Sequence, residues 1–114
     1  MKRDFDLIRK ILFEIEDVPA GETNFHFDAM DGYDLVTVNE HIELLEQAGL
    51  IKAAIMRDFS GICAVSIQGL TWQGHDFLDA ARNDTLWNKA KEKYLKPGMS
   101  VTFDILFQWL KSQI

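Results

Sequence analysis

The sequence predicts an α+β fold, mainly helical and winged-helix-like, with a β-hairpin wing and additional C-terminal helices. Three observations support this prediction: an amphipathic helix that ends at a glycine, two short β-rich runs around a glycine-bearing turn, and helical periodicity in the rest of the chain. A length of 114 residues corresponds to one domain. We therefore expect residues 1–114 to form a single winged-helix-like domain.

The stretch 34–51 is the helix around which this fold is expected to be organised. Gly49 supplies the left-handed backbone conformation that ends a helix at low cost. Two starting points are open: Asp34, or Thr37, because Thr37 and Glu40 have the spacing of a capping box. The apolar residues that recur every three or four positions, and so predict a buried stripe, are Leu35, Val38, Ile42, Leu45 and Ala48.

The segments on either side of this helix have their own patterns. A wide apolar face predicts a helix over 4–16, which ends before Pro19. Alternating apolar and polar residues predict a short strand over 24–30. The apolar runs 51–56 and 62–67 flank a turn and are expected to pair as the wing.

The remaining chain predicts three more helices. Thr71 is suited to cap a helix over 72–81, and Ser100 is suited to cap the last helix. Between them, a helix over 84–95 ends at Pro97-Gly98. The side chains expected to face inward are Trp72, Phe77, Leu78 and Ala81 in the first of these helices, and Leu86, Trp87, Ala90 and Tyr94 in the second.

The net charge of −6 is unevenly distributed along the chain. Residues 1–60 carry 6 basic and 13 acidic side chains, whereas residues 61–114 carry 6 basic and 5 acidic ones. The front half would therefore repel a phosphate backbone, and avid nonspecific DNA binding is not expected. A local basic face is still able to act within a Debye length.

The sequence predicts a cytoplasmic protein. The first ten residues carry charges where a signal peptide needs an apolar block, and no apolar run is long enough to span a membrane. Cys63 is the single cysteine and lies in the apolar run ICAVSI, so we expect a buried thiol in a reducing compartment.

Residues with catalytic or metal-binding potential are few. The spacings of His26, His41, Cys63 and His75 match no structural zinc motif, so neither a metal nor another cofactor is expected. His75 and Asp79 share a helix face, but no nucleophile accompanies them. Phosphate-binding glycine loops and serine elbows are also missing, so the sequence predicts no enzyme.

Two kinds of binding function remain open. For DNA, helix 34–51 is a poor reader because it carries four carboxylates and no lysine or arginine. Basic side chains occur elsewhere, on one side of helix 84–95 and on the wing, although a lysine face is also the usual way in which a helix stays soluble. The DNA-binding candidates are Arg82, Lys89, Lys93, Lys96, Lys52 and Arg57.

The alternative is a protein-interaction module that does not bind DNA. An acidic helix with Tyr33 and Val36 exposed at its edges would suit a basic partner. A homodimer is also open if the C-terminal aromatic residues Phe103, Phe107 and Trp109 reach the surface, although aromatic residues at helical spacing are more often core. The protein-interaction candidates are Tyr33, Glu40, His41 and Glu43.

Several blocks resemble the domain of unknown function 2513 family, small proteins met in bacteria and their prophages. They are residues 1–10, 32–33, 41–45, 48–51, 69–79 (GLTWQGHDFLD) and 87–91. The resemblance implies a winged-helix-like fold and a phage or prophage origin, without an activity or catalytic residues. On fold and family grounds, a DNA-associated phage or prophage regulator is slightly favoured over the protein-interaction module. The motif residues are Thr71, Trp72, Gly74, His75, Phe77, Leu78, Asp79 and Trp87. Among them, Gly74 is expected to let its helix pack closely against a neighbour.

Overall fold

The computed structural model describes residues 1–114 and confirms an α+β architecture with five helices and one antiparallel hairpin. It divides into two compact units, residues 1–75 and 76–114, while the single domain stays a prediction. None of the helices has the length and apolar character needed to cross a bilayer. The elements are α1 (Phe5–Glu16), α2 (Leu35–Gln47), β1 (Ile51–Asp58), β2 (Gly61–Leu70), α3 (Trp72–Ala80), α4 (Asp84–Tyr94) and α5 (Phe103–Ser112).

Helix α1 forms where the apolar periodicity predicts it. The Asp4 side chain caps the helix by accepting a hydrogen bond from the Leu7 amide at 3.1 Å. All six residues of the predicted apolar face are buried, so α1 supplies a large part of the core of the first unit. They are Phe5, Leu7, Ile8, Ile11, Leu12 and Ile15.

Helix α2 begins at Leu35, and Asp34 is its cap. The Asp34 carboxylate accepts a hydrogen bond from the Thr37 amide at 2.8 Å, so the alternative start at Thr37 is wrong. Gly49, with φ of +77°, follows the end of the helix as predicted. The middle of the predicted stripe, Val38, Ile42 and Leu45, is buried, whereas its two ends, Leu35 and Ala48, are exposed.

The hairpin is longer than its two apolar runs. Asp58 pairs with Gly61 across the two-residue turn Phe59–Ser60, and the Asp58 carboxylate accepts hydrogen bonds from the Ser60 amide and hydroxyl, both at 2.8 Å. Cys63 is exposed, so the prediction of a buried thiol is wrong. The physical reason is that a two-stranded sheet has one face to solvent, and an apolar strand does not by itself show which side chains lie on that face.

The predicted strand over residues 24–30 does not form. Only Phe25 pairs with the hairpin, through hydrogen bonds between its backbone and that of Ile67 at 3.1 and 2.7 Å. Asn24 has φ of +59°, which interrupts the extended backbone just before this point. The alternation of half-buried and exposed side chains is nevertheless present over 25–28.

Helix α3 is fixed to the end of α2 by a close contact. The Thr71 hydroxyl caps α3 by accepting from the Gly74 amide at 3.1 Å, and it donates to the Gly49 carbonyl at 2.6 Å. A Cβ atom on Gly74 would lie 2.0 Å from the Leu50 carbonyl oxygen. Both the Thr71 cap and the close packing at Gly74 are therefore confirmed.

Trp72 is 81% exposed, which corrects its predicted place in the inner stripe of α3. Phe77 and Leu78, which are fully buried, define the inner side of the helix. At about 100° per residue, Trp72 lies roughly 140° from Phe77 and roughly 120° from Leu78 around the axis. Its side chain therefore points away from the core.

In the second unit, α4 and α5 begin with side-chain caps. The Asn83 side chain accepts from the Leu86 amide at 3.0 Å. The Thr102 hydroxyl accepts from the Ile105 amide at 3.3 Å, so the prediction that Ser100 caps the last helix is wrong. Of the four residues expected to be buried in α4, Trp87 and Ala90 are buried, while Leu86 and Tyr94 are half-buried.

The C-terminal aromatic residues form ring contacts within this unit. The Phe77 ring centroid lies 4.8 Å from that of Phe103 and 5.6 Å from that of Phe107. The Trp109 ring lies 6.2 Å from the Tyr94 ring. All three α5 aromatic side chains are half-buried and so contribute to packing.

Candidate interaction surface

A charged contact at the surface joins α2 to the hairpin. The Arg57 guanidinium donates two hydrogen bonds to the Glu43 carboxylate, at 2.9 and 2.5 Å, and one to the Glu40 carboxylate at 2.9 Å. Arg57 lies near the end of β1, and the two glutamates lie on neighbouring turns of α2. Arg57, a DNA-binding candidate, is therefore paired with Glu40 and Glu43, two of the protein-interaction candidates.

The electrostatics of this cluster favour the ionised forms of Glu43 and Arg57. The hydrogen bonds from Arg57 hold the pKa of Glu43 below its usual value, and those to Glu43 and Glu40 raise the pKa of Arg57. Hydrogen bonds from Thr37 likewise lower the pKa of the Asp34 cap. Of the four acidic residues in the segment 34–51, Asp34, Glu40 and Glu43 thus have hydrogen-bond partners within the chain.

Exposed apolar side chains lie next to the members of the Arg57 cluster along the chain. Val36, one helical turn before Glu40, is 71% exposed. Phe59, at the hairpin tip two residues after Arg57, is fully exposed at 113%. We call Val36, Glu40, Glu43, Arg57 and Phe59 the α2–hairpin surface.

His41 and Tyr33 belong to an internal network centred on Asp4. His41 is 1% exposed, and its Nε2 atom accepts a hydrogen bond from the Asp4 amide at 2.9 Å. The half-buried Tyr33 donates its hydroxyl to the Asp4 carboxylate at 2.8 Å. Burial, then the Asp4 hydrogen bond and the charges of Asp4 and Asp6, raise the pKa of Tyr33 to about 12. The burial of His41 corrects its predicted place on a partner-facing surface.

The remaining basic candidates lie in different settings. Arg82 forms an ion pair with Asp79 at 2.9 Å on the surface of the second unit. In α4, Lys89 is exposed, and the Lys93 ammonium lies 5.7 and 6.0 Å from the Tyr94 and Trp109 ring centroids. The last two candidates are also exposed: Lys96 follows α4, and Lys52 lies in β1.

His75 lines an open cavity of about 460 Å³ in the first unit. The other titratable groups there are Glu16 and Glu22, and most of the lining comes from the loop after α1 and from the end of β2. No group of three or more His, Cys, Asp or Glu side chains is arranged to hold a metal ion.

The motif residues, seven in the 69–79 block and Trp87 in α4, divide into two groups. Thr71 and Gly74 fix the start of α3, and the buried residues Phe77, Leu78 and Trp87 build the core. The exposed residues are Trp72, His75 and Asp79. Most of this block therefore specifies packing.

Sequence reasoning missed two features of the α2–hairpin surface. One is Phe59: a phenylalanine between charged, serine and glycine residues in a predicted turn has few ways to be buried, and that was the available signal. The other is the pairing of Arg57 with α2, which depends on the angle between hairpin and helix. No spacing in the sequence contains that angle.

Comparisons with known proteins support the resemblance drawn from the sequence blocks. The model of a family described as "Hypothetical protein (DUF2513)" matches residues 2–100. An "Uncharacterized protein" from Haemophilus influenzae is 39% identical over 110 residues, which cover 95% of this chain and 91% of that relative. No solved structure gives a significant match.

Proposed function

The chain belongs to the DUF2513 family, and we propose that it is a non-enzymatic, winged-helix-like domain whose α2–hairpin surface docks on a protein partner. In chain order, α1, the Phe25 bridge, α2 and the hairpin follow the order of a winged helix that lacks the short helix before the recognition helix. In that arrangement α2 takes the place of the recognition helix and the hairpin takes the place of the wing. These are the two elements that carry the proposed surface.

One observation carries the proposal: Arg57, the only arginine of the hairpin, is bound by Glu40 and Glu43. A DNA-reading surface needs arginine or lysine directed at phosphates and base edges. Here the guanidinium is engaged within the chain, on a surface whose helix carries no basic residue. The surface is therefore poorly suited to a duplex.

The same surface has the composition of a protein interface. Val36 and Phe59 are exposed apolar side chains close in the chain to an ionic cluster of one arginine and two glutamates, which has a net charge of −1. An aromatic anchor that fills a pocket, with polar groups around it, is a common centre of binding energy. Because residues 1–60 carry an excess of acidic side chains, the expected partner has an apolar pocket with basic groups at its rim.

The test places a photo-crosslinking analogue of phenylalanine at position 59 in cells that express the chain. The control places the same group at Thr85, an exposed residue of α4. We expect a discrete adduct with another protein from position 59 only, and we expect Glu43→Lys, which disrupts the ionic cluster, to weaken it. Nucleic-acid adducts at position 59, or the same adducts from both positions, would contradict the proposal.

A DNA-associated phage or prophage regulator is a second candidate, and the exposed lysines of the second unit favour it. Lys89 and Lys96 are exposed, and the residues from 76 onward carry 6 basic and 5 acidic side chains. The test is fluorescence anisotropy with mixed-sequence duplex DNA in a salt series, comparing the native chain with the triple variant Lys89→Ala, Lys93→Ala, Lys96→Ala. Binding that weakens with salt and is lost in the triple variant would favour this candidate.

A further inference from the structure

Strand β1 is an open edge of the hairpin. Its eight residues pair with β2 on one side, and the other backbone hydrogen bonds of the structure involve none of residues 52–58. The two register shifts fall in β2, where Gln68 and Cys63 are the extra residues, so β1 itself has no bulge. The chain thus presents a regular strand with one unpaired edge.

The Phe25 bridge shows which backbone groups lie on this edge. The amide and carbonyl of Ile67 both bond to Phe25, so they point away from β1. Its partner Ala53 must then form a non-hydrogen-bonded pair with Ile67, and the Ala53 amide and carbonyl point away from β2. Because these directions alternate along a strand, the groups of Ile55 and Arg57 point outward as well.

The middle of β1 lacks the features that usually protect such an edge. Long edge strands are commonly guarded by proline, by bulges or by several charges. Strand β1 contains no proline, and its middle residues 53–56 are uncharged (AAIM). Arg57 is turned to α2, while the face opposite α2 exposes the even-numbered residues Lys52, Ala54, Met56 and Asp58.

We propose that a second copy of this chain pairs with this edge, β1 against β1, antiparallel about a twofold axis at Ile55, to give a continuous four-stranded sheet. In this register the backbone amide and carbonyl of Ile55 bond to those of the partner's Ile55. The backbone amide and carbonyl of Ala53 bond to those of the partner's Arg57. All of these backbone groups point outward in one copy, so the pairing uses groups that β2 leaves open.

Charge and size complementarity select this register. Lys52 lies opposite the partner's Asp58, once on each side of the axis, and small Ala54 lies opposite the partner's Met56. Both hydrogen bonds from Ser60 go to one oxygen of Asp58, which leaves the other oxygen for the lysine. A shift by two residues would place Lys52 opposite Met56 and lose both ion pairs. The twofold arrangement is therefore self-complementary, as an isologous dimer requires.

This dimer is independent of the proposed function. It uses the solvent face of β1 and the β1 backbone, including that of Arg57, whereas partner docking uses the side chains of Val36, Phe59 and the ionic cluster. Dimerisation is measured with the purified chain alone, so a missing partner does not affect its outcome.

The test is sedimentation velocity over a wide concentration series. We expect the native chain to form a dimer and Ala53→Pro to be monomeric, because the Ala53 amide is not used by β2 while proline blocks the outer edge. Lys52→Asp should weaken the dimer about tenfold or more by creating two repulsive pairs, whereas Lys2→Asp, the same charge change away from β1, should not. Circular dichroism verifies that each variant is folded.

The register is tested by exchanging the charges. The double variant Lys52→Asp, Asp58→Lys restores opposite charges across the axis, so it should dimerise more tightly than Lys52→Asp alone. A native chain that stays monomeric at its highest attainable concentration would overturn the proposal. A dimer that persists unchanged in folded Ala53→Pro and in Lys52→Asp would also overturn it, because the interface would then lie elsewhere.

Discussion

The Nε2 atom of His41 lies 2.9 Å from the backbone nitrogen of Asp4, and this hydrogen bond ties the buried face of α2 to the start of α1. Because an amide only donates, Nε2 is the acceptor and the ring proton lies on Nδ1. Nδ1 in turn lies 2.9 Å from the Thr37 carbonyl oxygen, which accepts that proton. Both ring nitrogens of a side chain that is 1% exposed are therefore satisfied.

Replacement of His41 tests which nitrogen matters for stability. In His41→Gln the amide group lies near the Nε2 position and is able to accept from Asp4, whereas in His41→Asn it lies near Nδ1. We expect His41→Asn to lower the free energy of unfolding by about 2 kcal/mol, since the part-buried Asp4 amide loses its acceptor, and His41→Gln to lower it less. The measurement is urea denaturation, with the exposed Gln47→Ala as control. Equal losses in the two variants would show that packing alone accounts for His41.

Tyr33 makes the stability of the chain depend on pH in the alkaline range. Its pKa is raised to about 12 in the folded chain, so the unfolded chain releases this proton first, near the ordinary value of 10.0. Stability from this group is fully present below pH 10.0 and is lost as pH rises toward 12. We expect Tyr33→Phe to show a smaller loss of stability over that interval in urea unfolding at stepped pH.

Tyrosinate absorbance provides a second measurement on the same residue. The chain has two tyrosines, and Tyr33→Phe leaves only Tyr94 to titrate. The difference between the two titration curves then reports Tyr33 alone. A difference curve with its midpoint at the ordinary tyrosine pKa would contradict the burial and the Asp4 hydrogen bond as causes of the shift.

The helices of the fold could be predicted because each is specified by local pattern. The six apolar residues of α1 and Gly49 act within one or two turns of the chain, and the structure places them as expected. The sequence leaves the start of α2 open between Asp34 and Thr37, and the structure places the cap at Asp34. The prediction of a strand over 24–30 was wrong because alternation shows only which side chains face inward. Pairing also requires an extended backbone, and Asn24 interrupts it.

The candidate surface could be predicted only in part. Val36 follows from its place on the polar side of α2, and the structure exposes it. The burial of His41 could not be recognised, because its acceptor role depends on the Asp4 amide, 37 residues away in the chain. The pairing of Arg57 could not be recognised either, since its carboxylate partners lie on a different element. Such pairings arise from the packing of elements against one another.

Gly74 is the position where the fold should tolerate a single methyl group least. A Cβ there would lie 2.0 Å from the Leu50 carbonyl oxygen, which is backbone and already accepts from the Thr71 amide at 3.0 Å. We expect Gly74→Ala to destabilise the chain by about 3 kcal/mol, despite the better helix propensity of alanine. The neighbouring exposed residue supplies the control, since Gln73→Ala should change the free energy of unfolding by less than about 0.5 kcal/mol. If the two variants were equally stable, α3 would have to shift freely away from Leu50.

The Arg57 cluster should contribute to stability at neutral pH and lose that contribution in acid. Arg57 lowers the pKa of Glu43 in the folded chain, so this contribution is present above the ordinary glutamate pKa and is lost as pH falls through the lowered one. We expect Arg57→Ala to be less stable than the native chain at neutral pH, with the difference shrinking in acid. Arg57→Lys keeps the charge but not the two-pronged geometry, so it should recover only part of the loss.

Urea unfolding at neutral and acidic pH measures this difference for the native and variant chains. High salt should reduce it at neutral pH, because the cluster lies at the surface. A difference between the native chain and Arg57→Ala that was constant with pH would mean that the aliphatic stem of Arg57, and not its charge, supports the hairpin.

Phe59 should be dispensable for folding and required for partner binding. Its side chain is fully exposed, so Phe59→Ser should change the free energy of unfolding by less than about 0.5 kcal/mol. With the photo-crosslinking group at Val36, we expect the same variant to abolish the protein adduct, because the aromatic anchor is lost while the surface around it remains folded. Trp72→Ser is the matched control, since Trp72 is also an exposed aromatic residue, at 81%, but lies outside the α2–hairpin surface. An adduct that survives Phe59→Ser and disappears in Trp72→Ser would place the docking site on α3 instead.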